Sequence, residues 1–263
     1  MIRSLLAAAL VGPAVLAGAA SASAGSAQFY LRTGIGSGWP TAAVFTDVDC
    51  AAPANYFGCG IGEGGLPTGA YGWFIEDLGL DFGVGLRVAP FLRLEAEFTR
   101  RWLRFSGNAN FINAGPIQPV TANVRQFGAM AFAYLDVLSA FGIESRIRPF
   151  VGAGIGASRT VIGEMLYLFP TLGPNRYSIM PGGIGGGLAW ALTAGVGIGL
   201  SERATLEIAY RYGHFGTVMS GPGDLYIHYN SGKELTLAID PIVALLNAHE
   251  VRVSLRWALG AAP

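Results

Sequence analysis

The sequence predicts an all-β fold, namely a closed antiparallel up-and-down β-barrel of eight strands that crosses a membrane. Three observations predict this fold. Apolar residues alternate with polar residues over long segments, long and short connections alternate between those segments, and the composition is apolar and rich in glycine. Of 263 residues, 52% are hydrophobic, 13% are charged and 39 are glycine, whereas ordinary soluble domains contain about 25% charged residues.

The charge balance excludes two other classes of protein. Lys+Arg and Asp+Glu each number 17, and no run of basic residues occurs, which argues against a nucleic-acid-binding protein. High hydrophobicity with no net charge also argues against a disordered chain. The remaining classes are a protein with a glycine-rich globular core and a membrane protein built without long apolar helices.

Residues 1–24 have the organisation of a cleaved signal peptide. Arg3 supplies the positive charge, residues 5–17 are apolar, and Ala22-Ser23-Ala24 is a small-residue cleavage site. An uncleaved anchor is the alternative, but the apolar stretch is short for a membrane span and Pro13 interrupts it. We therefore expect residues 25–263 to form an exported barrel with four long extracellular loops.

The period of the apolar residues predicts strands. In segment 249–259, Val251, Val253, Leu255 and Trp257 alternate with polar residues. A period of two places successive side chains on opposite faces of a strand. The predicted strands are residues 27–37, 77–89, 91–104, 122–137, 147–158, 187–200, 203–212 and 249–259.

Segment 187–200 also has a helical interpretation, because no charge occurs between Arg176 and Glu202 and an uncharged apolar stretch is typical of a transmembrane helix. Pro181 and the glycines at 182, 183 and 185–187 would break such a helix. Since bulky apolar and small residues also alternate through this segment, the strand is the favoured interpretation.

The lengths of the connections favour a membrane barrel over a soluble one. Long connections at 38–76, 105–121, 159–186 and 213–248 alternate with short ones at Pro90, 138–146 and 201–202. Short periplasmic turns and long extracellular loops are typical of a transmembrane barrel. This rhythm predicts that both termini lie in the periplasm.

Residues 224–239 are predicted to form a hairpin around Asn230-Ser-Gly within the last long connection. Two further strands of a ten-stranded barrel are the alternative. Each arm has about six residues, which is too short to cross a membrane. We therefore expect the hairpin to be an extracellular extension of an eight-stranded barrel.

The charged face of the strands is predicted to line the lumen, and the apolar face is predicted to meet lipid. An eight-stranded barrel is wide enough only for side chains, so charges enclosed there are expected to pair and to plug it. The predicted lumen charge network consists of Arg32, Asp81, Arg87, Arg93, Glu95, Glu97, Arg125, Arg148, Glu207, Arg211, Arg252 and Arg256.

Aromatic residues are expected to form girdles at both ends of the lipid-facing band. If the first strand runs outward, the outer girdle contains Trp39, Trp73, Phe74, Trp102 and Tyr212. The inner girdle then contains Phe29, Phe91, Tyr134, Phe150 and Trp257.

Four segments resemble the opacity-protein and OmpA-like family of eight-stranded outer-membrane barrels. They begin with Gln28-Phe-Tyr-Leu-Arg-Thr-Gly-Ile-Gly, Arg148-Pro-Phe-Val-Gly, Ala204-Thr-Leu-Glu-Ile and His249-Glu-Val-Arg-Val. The resemblance implies a barrel in the outer membrane of a Gram-negative cell that is inserted by the barrel-assembly machinery. The family usually ends on an aromatic residue, whereas here Trp257-Ala-Leu259 is followed by four further residues.

Cys50 and Cys59 are the two cysteines of the chain. An even number of cysteines in an exported protein predicts a disulfide, and two free thiols are the alternative. A metal site would need further ligands, and His214, His228 and His249 do not cluster near the cysteines in the sequence. We expect no metal and no other cofactor.

Function is expected in the long loops, since loops on a rigid scaffold usually carry it. The favoured function is a structural or surface-interacting, adhesin-like role without catalysis, in a monomer. The expected partners are outer-membrane lipid, lipopolysaccharide and a surface ligand at the loops. A narrow pore is the first alternative, and a lipid-modifying enzyme is a weaker one.

Two small groups of residues are specific candidates for these functions. His214, Ser220 and Asp224 form the best catalytic candidate, although no hydrolase motif surrounds them. Arg100, Arg101 and Arg104 are candidate contacts for lipopolysaccharide phosphates, because arginine binds phosphate through two hydrogen bonds. A solvated rim is the alternative interpretation of the arginines.

Overall fold

The computed structural model describes residues 27–39, 41–48, 50, 59–62, 65 and 68–259. The predicted signal peptide lies outside these residues. The described strands, in chain order, are β1 (Gln28–Trp39), β2 (Thr41–Val44), β3 (Thr46–Asp47), β4 (Ala70–Ala89), β5 (Leu92–Ala109), β6 (Pro119–Asp136), β7 (Ile147–Ile162), β8 (Met165–Leu168), β9 (Tyr177–Met180), β10 (Gly183–Gly199), β11 (Ala204–Met219), β12 (Gly223–His228), β13 (Glu234–Ile239) and β14 (Ile242–Ala258). Short helices lie at Val137–Ala140 (α1) and Pro170–Leu172.

Eight of the described strands close into a ring, which confirms the predicted fold. Each is antiparallel to its neighbours in the order β1, β4, β5, β6, β7, β10, β11, β14, and β14 pairs back onto β1 from Tyr30–Ala258 to Trp39–His249. A closed ring leaves no unpaired strand edge, as lipid requires. In the described part of the chain, no helix is long and apolar enough to span a membrane.

The two ends of the barrel differ in their connections. The short connections, including the Pro90 turn and α1, lie at one end together with the start of β1 and the end of β14, and we call it the turn end. The opposite end carries the long connections, and we call it the loop end. The barrel strands other than β1 have 16 to 20 residues, more than the roughly 9–11 needed to cross a bilayer. The barrel therefore extends beyond a membrane at its loop end.

Short strands complete the ring at the loop end, where β1 stops at Trp39. β2 pairs with β4 from Thr41–Phe74 to Val44–Tyr71, and β3 pairs with β14 at Ile242–Asp47 and Val243–Thr46. These strands thus take the place of β1 between its two neighbours.

The remaining strands form a separate extension, the loop-end sheet, defined as β8, β9, β12 and β13. It joins the barrel where β8 pairs with β6 at Val120–Tyr167, and it continues in the order β8, β9, β12, β13. The hairpin of β12 and β13 therefore lies outside the ring. The structure confirms the eight-stranded barrel and not the ten-stranded alternative.

The polarity of the two barrel faces inverts along the strands. On the turn-end half of β5, Glu95 and Glu97 point inward while Leu94 and Phe98 are exposed outside; on the loop-end half, Phe105 is buried inside while Arg104 is exposed. A strand in lipid needs an apolar outer face. A strand that extends beyond the membrane needs a polar outer face and an apolar inner face. The bulky apolar residues of the outer belt include Leu31, Ile35, Leu80, Phe82, Val84, Leu94, Phe98, Leu135, Val151, Ile155, Leu192, Ile208, Val251, Val253 and Leu255.

This inversion corrects the predicted position of Arg125. Arg125 was predicted to line the lumen, but its side chain is exposed on the outer wall, opposite Trp102 of β5. The adjacent Gln126 is fully buried and points inward instead. Arg125 lies at the level where the outer face becomes polar, so charge there does not identify the inner face.

The aromatic girdles are present, with three members fewer than predicted. Trp39 and Trp73 are exposed near the loop end, and Phe29, Phe91 and Trp257 are exposed near the turn end. The predictions for Phe74, Tyr134 and Phe150 are wrong, because these rings are buried inside the barrel.

Glycine makes space for aromatic rings inside the barrel. Gly85 lies opposite Tyr30 across β4 and β1, and a Cβ at Gly85 would be 2.1 Å from Cζ of Tyr30. The Tyr30 side chain is itself buried, so it has little room to move away.

We predict that Gly85→Ala destabilises the barrel by about 1–3 kcal/mol, the usual cost of overpacking. Gly199→Ala is the matched control, because its new Cβ would be 3.8 Å from the nearest atom, the backbone oxygen of Arg146. The measurement is the fraction of heat-modifiable, folded protein after refolding in detergent across a urea series. Equal folded fractions for the two variants would contradict the packing role of Gly85.

Candidate functional site

The centre of the barrel holds a cluster of charges around Glu97. Arg211 donates two parallel hydrogen bonds to Glu97, of 2.5 Å to Oε1 and 2.6 Å to Oε2. Arg32 also donates to Glu97 Oε2 and reaches Glu95 Oε1 at 2.7 Å. Arginine suits this position because its planar fork binds a carboxylate through two bonds. Glu97 is thus held by guanidinium groups from β1 and β11, two strands far from its own in the sequence.

Asp81 extends this cluster to β14. Its Oδ1 accepts a bond from Arg32, and its Oδ2 lies 2.5 Å from Nη2 of Arg252. Arg252 then lies 2.6 Å from Glu250 Oε2. We call Arg32, Asp81, Glu95, Glu97, Arg211 and Arg252 the central charge cluster.

A second group of paired charges lies toward the turn end. Glu207 Oε1 lies 2.8 Å from Nε of Arg256 and 3.1 Å from Nη1 of Arg93. Arg93 Nη2 also lies 3.0 Å from Asp136 Oδ1, and Arg87 approaches the other Asp136 oxygen at 3.5 Å. We call these five residues the turn-end charge cluster.

A third group, the loop-end charge cluster, consists of Arg101, Glu76 and Glu250. Arg101 Nη2 lies 2.5 Å from Glu250 Oε1, and Arg101 Nε lies 3.9 Å from Glu76 Oε1. The Arg101 guanidinium lies over the ring of Phe215, with its Cζ 3.7 Å from the ring centroid. This corrects the predicted lipopolysaccharide contact of Arg101, which is fully buried inside the barrel.

Charges of the two signs balance among the described residues of the three clusters. The seven arginines are Arg32, Arg87, Arg93, Arg101, Arg211, Arg252 and Arg256, and the seven carboxylates are Glu76, Asp81, Glu95, Glu97, Asp136, Glu207 and Glu250. Buried charges of this kind are tolerated when they are paired and hydrogen-bonded. The formal charges of the three clusters therefore cancel, and together these side chains form a dense ionic filling.

The predicted network differs from the described clusters at a few positions. Arg125 lies outside, and the half-buried Arg148 donates to the backbone oxygen of Ser145 at the turn-end mouth, 3.2 Å away, rather than to a carboxylate. The other predicted members point inward. Four members were missed: Glu76, Arg101, Asp136 and Glu250. Arg101 had a usable signal, because it has the same parity along β5 as Arg93, Glu95 and Glu97.

Aromatic rings on the wall formed by β6 and β7 pack against the arginines. The Cζ atom of Arg211 lies 4.7 Å from the ring centroid of Phe132, and that of Arg93 lies 4.9 Å from Tyr134 and 5.2 Å from Phe150. Contacts of a guanidinium with a ring face are attractive and strengthen where water is excluded. They fill the side of the lumen that has few charges of its own.

Above the charges, apolar side chains fill the loop-end half of the barrel. Phe45, Phe74 and Phe105 pack ring against ring, with centroids 5.0 to 6.0 Å apart. Burial raises the pKa of Tyr167 above the ordinary value of a tyrosine, so this phenol stays neutral. We call this filling the apolar plug; its larger described members from the barrel and the β2–β3 connection are Phe45, Phe74, Leu103, Phe105, Val120, Val124, Ile162, Phe215, Ile242 and Leu246. Side chains of the loop-end sheet and its loop belong to the same buried cluster, namely Met165, Tyr167, Phe169, Met180, Leu225 and Ile239.

The predicted disulfide is confirmed beside this plug. Cys50 and Cys59 are bonded, with their Cα atoms 5.7 Å apart. The backbone N–H of Cys50 donates to Oδ1 of Asp47 over 2.7 Å, next to β3. The disulfide therefore closes a short part of the first long loop, next to the barrel rim.

The candidate catalytic residues have other partners. The Nδ1 atom of His214 lies 2.9 Å from Oδ1 of Asn247, while the buried Ser220 accepts the backbone N–H of Ile242 at its Oγ, also over 2.9 Å. Asp224 is exposed on β12 in the loop-end sheet. The described contacts therefore do not arrange His214, Ser220 and Asp224 as a nucleophile with its base and acid.

Comparison with known proteins gives a family match over most of the chain. The family model described as "Outer membrane protein beta-barrel domain" matches residues 8–239. No curated protein matches the chain significantly.

Several solved structures are similar to this chain at low sequence identity. OprG from Pseudomonas aeruginosa is 14% identical with a TM-score of 0.51, covering 90% of this chain and 97% of that chain. Neisserial surface protein A is 15% identical with a TM-score of 0.37, covering 88% and 98% respectively. The outer membrane protease OmpT from Escherichia coli is 8% identical with a TM-score of 0.48, covering 88% and 97%.

We predict that Glu97→Gln lowers the free energy of unfolding by about 3–5 kcal/mol, since it leaves buried arginines without their full counter-charge. The control is Glu144→Gln, because Glu144 is exposed between α1 and β7 and surface changes usually stay within about 0.5 kcal/mol. Urea midpoints of the protein refolded in lipid vesicles measure both. A Glu97→Gln midpoint equal to that of the control would contradict a structural role for the central charge cluster.

Proposed function

Because the chain belongs to the outer membrane protein β-barrel family of Gram-negative bacteria, we propose that it is a non-conducting, non-enzymatic barrel with a structural and surface-interacting, adhesin-like role. In this proposal the protein acts as a monomer. The turn end and both termini face the periplasm, and the loop-end sheet faces the exterior of the cell.

The observation that carries the proposal is that side chains fill the interior in two layers, one of paired charges and one of apolar groups. The charge clusters cross the lumen between β5 and β11, which are opposite strands of the ring, through the ion pairs Arg211–Glu97 (2.5 Å) and Arg93–Glu207 (3.1 Å). The apolar plug then fills the loop-end half with buried rings such as Phe45 and Phe105. A permeating ion would have to break paired charges and then enter an apolar layer, which is unfavourable on both counts.

The loop-end sheet supports a role at the cell surface. Met165, Tyr167, Met180 and Leu225 belong to the same buried apolar cluster as side chains of the barrel strands β5 and β6, so the sheet is packed onto the scaffold. Its outer face and edge strand present exposed apolar side chains, among them Leu168, Tyr226 and Leu235. A rigid scaffold that presents loop residues to solvent is a common arrangement for binding.

The asymmetry of the barrel supports the proposed orientation. Short turns and both described ends of the chain lie together at the turn end, as in outer-membrane barrels with periplasmic turns. The loop end extends beyond the lipid-facing belt and has a polar outer wall there. This end suits the extracellular side.

We expect the refolded protein to give no steady current in planar bilayers, because its lumen is filled by side chains. The measurement is conductance at increasing protein insertion in symmetric salt, with a known open porin as the positive control. A steady current that grows with the number of inserted molecules would instead support the narrow-pore alternative.

We expect display of this protein on a non-adherent Gram-negative strain to increase attachment to host cells or abiotic surfaces at least severalfold. Replacing residues 224–238 by a two-residue turn should abolish the increase, because it removes most of β12 and β13 while leaving the ring intact. A variant in the turn-end connection, Glu144→Gln, is the control. Attachment that does not depend on the hairpin, or turnover of labelled lipid or peptide by the purified protein, would contradict the proposal.

A further inference from the structure

Four exposed arginines lie together on one side of the outer wall. They are Arg100 and Arg104 on β5, Arg125 on β6 and Arg159 on β7. The pairing of these adjacent strands sets Arg100 opposite Phe127, which in turn lies opposite Arg159. In the next outward-facing row, toward the loop end, Trp102 lies opposite Arg125. We call these four residues the arginine patch.

The position of the patch places its charges at the boundary of the lipid belt. On the turn-end side of Arg100, Phe98 is exposed and belongs to the apolar outer belt. On the loop-end side, the exposed Thr121 and Asn123 begin the polar outer wall. Cations at this height would meet lipid head groups rather than acyl chains or bulk water. This placement rests on the proposed orientation, in which the loop end faces outward.

The patch has few negative partners on its own surface. Arg104 lies 4.0 Å from Asp77, and both side chains are more than half exposed, so this pair is weak. Arg100 lies over aromatic rings instead, with its Cζ 4.6 Å from the ring centroid of Trp102 and 5.3 Å from that of Phe127. The patch therefore keeps most of its positive charge available.

The charge is confined to one side of the barrel. The other exposed cations among the described residues lie in the connections at the two ends, namely Arg146 and Arg203 at the turn end and Lys233 at the loop end, with the half-buried Arg176 also in a loop. The outward side chains of β10, β11 and β14 at the level of the patch are uncharged, such as Ile184, Tyr212 and Leu245. A positive rim spread evenly for solubility would not be concentrated on three adjacent strands.

We propose that the arginine patch binds the phosphates of a phosphorylated glycolipid of the outer leaflet, lipid A. Arginine binds phosphate oxygens through two parallel hydrogen bonds, and aromatic side chains such as Trp102 favour the membrane interface. A phosphorylated lipid offers both the anionic head group and the acyl chains that the belt beneath the patch requires. The linear cluster of Arg100, Arg101 and Arg104 is thereby replaced by a set from three strands that excludes Arg101.

The test measures lipid binding by the refolded full-length protein in nanodiscs. This readout does not depend on whether the protein conducts ions or mediates attachment. The probes are bisphosphorylated lipid A and the same lipid with both phosphates removed. The patch variant changes Arg100, Arg104, Arg125 and Arg159 to Gln, and the control changes Arg146, Arg176, Arg203 and Lys233 to Gln, which removes the same charge elsewhere. Heat-modifiability and circular dichroism establish that each variant is folded.

We expect the wild type and the control to bind the bisphosphorylated lipid at least tenfold more tightly than the dephosphorylated lipid. The patch variant should lose this preference, and replacement of the four arginines by Lys should restore part of it. Equal preference in the wild type and the patch variant would overturn the proposal. Displacement of the lipid by inorganic phosphate at equal phosphate concentration would overturn the assignment to a glycolipid.

These outcomes are separable from those of the proposed function. A protein that binds lipid A through the patch but conducts ions would contradict only the sealed lumen. If the hairpin mediates attachment but the patch variant binds lipid A normally, only the lipid proposal fails.

Discussion

The architecture depends on the pairing of charges inside a narrow closed ring. Closure of β14 onto β1 satisfies the backbone groups that lipid would leave without partners, but it also encloses every inward side chain. Each enclosed arginine then needs a carboxylate, and each carboxylate an arginine. Glu97, Asp81, Glu207 and Asp136 meet this need by each contacting two arginines. The ion pairs thereby join strands that are distant in the sequence.

The same strands solve opposite solvation problems along their length. Toward the turn end, β5 has charges inside and apolar residues outside; toward the loop end, it has the apolar plug inside and polar groups outside. The change occurs near Arg100 and Arg101, where neighbouring residues point to opposite faces. Arg101 completes the ionic filling from within, while Arg100 stands at the outer edge of the lipid belt. One pair of adjacent arginines thus marks the level where the environment of the barrel changes.

Much of the barrel could be predicted from the sequence, because alternation of charge with bulky apolar residues fixes the faces of β1, β4, β5, β11 and β14. The two faces of β6 were harder to predict, because its one basic residue, Arg125, lies on the outside. Aromatic rings also occupy both faces of this strand, with Phe127 on the outer face and Phe132 on the inner face. The full length of the strands was also missed. Beyond the lipid belt, the outer face of the strands is polar and the inner face is apolar, as in a soluble barrel. Residues 105–109 and 159–162 therefore do not continue the membrane-strand pattern and were predicted to be loops. The partners within the charge clusters and the arginine patch required the strand register, which the sequence does not contain.

The central claim is that, within the lipid belt, the apolar side chains of the alternating strands face lipid while the charged side chains face inward. It is tested most directly by tryptophan fluorescence in vesicles made from lipids with brominated acyl chains, using variants that retain only Trp190 or only Trp257, both exposed on the outer wall. Strong quenching by the brominated lipid and weak quenching by aqueous acrylamide are expected for both variants. Fluorescence that brominated lipid leaves unchanged while acrylamide quenches it would place these side chains in water and contradict the claim.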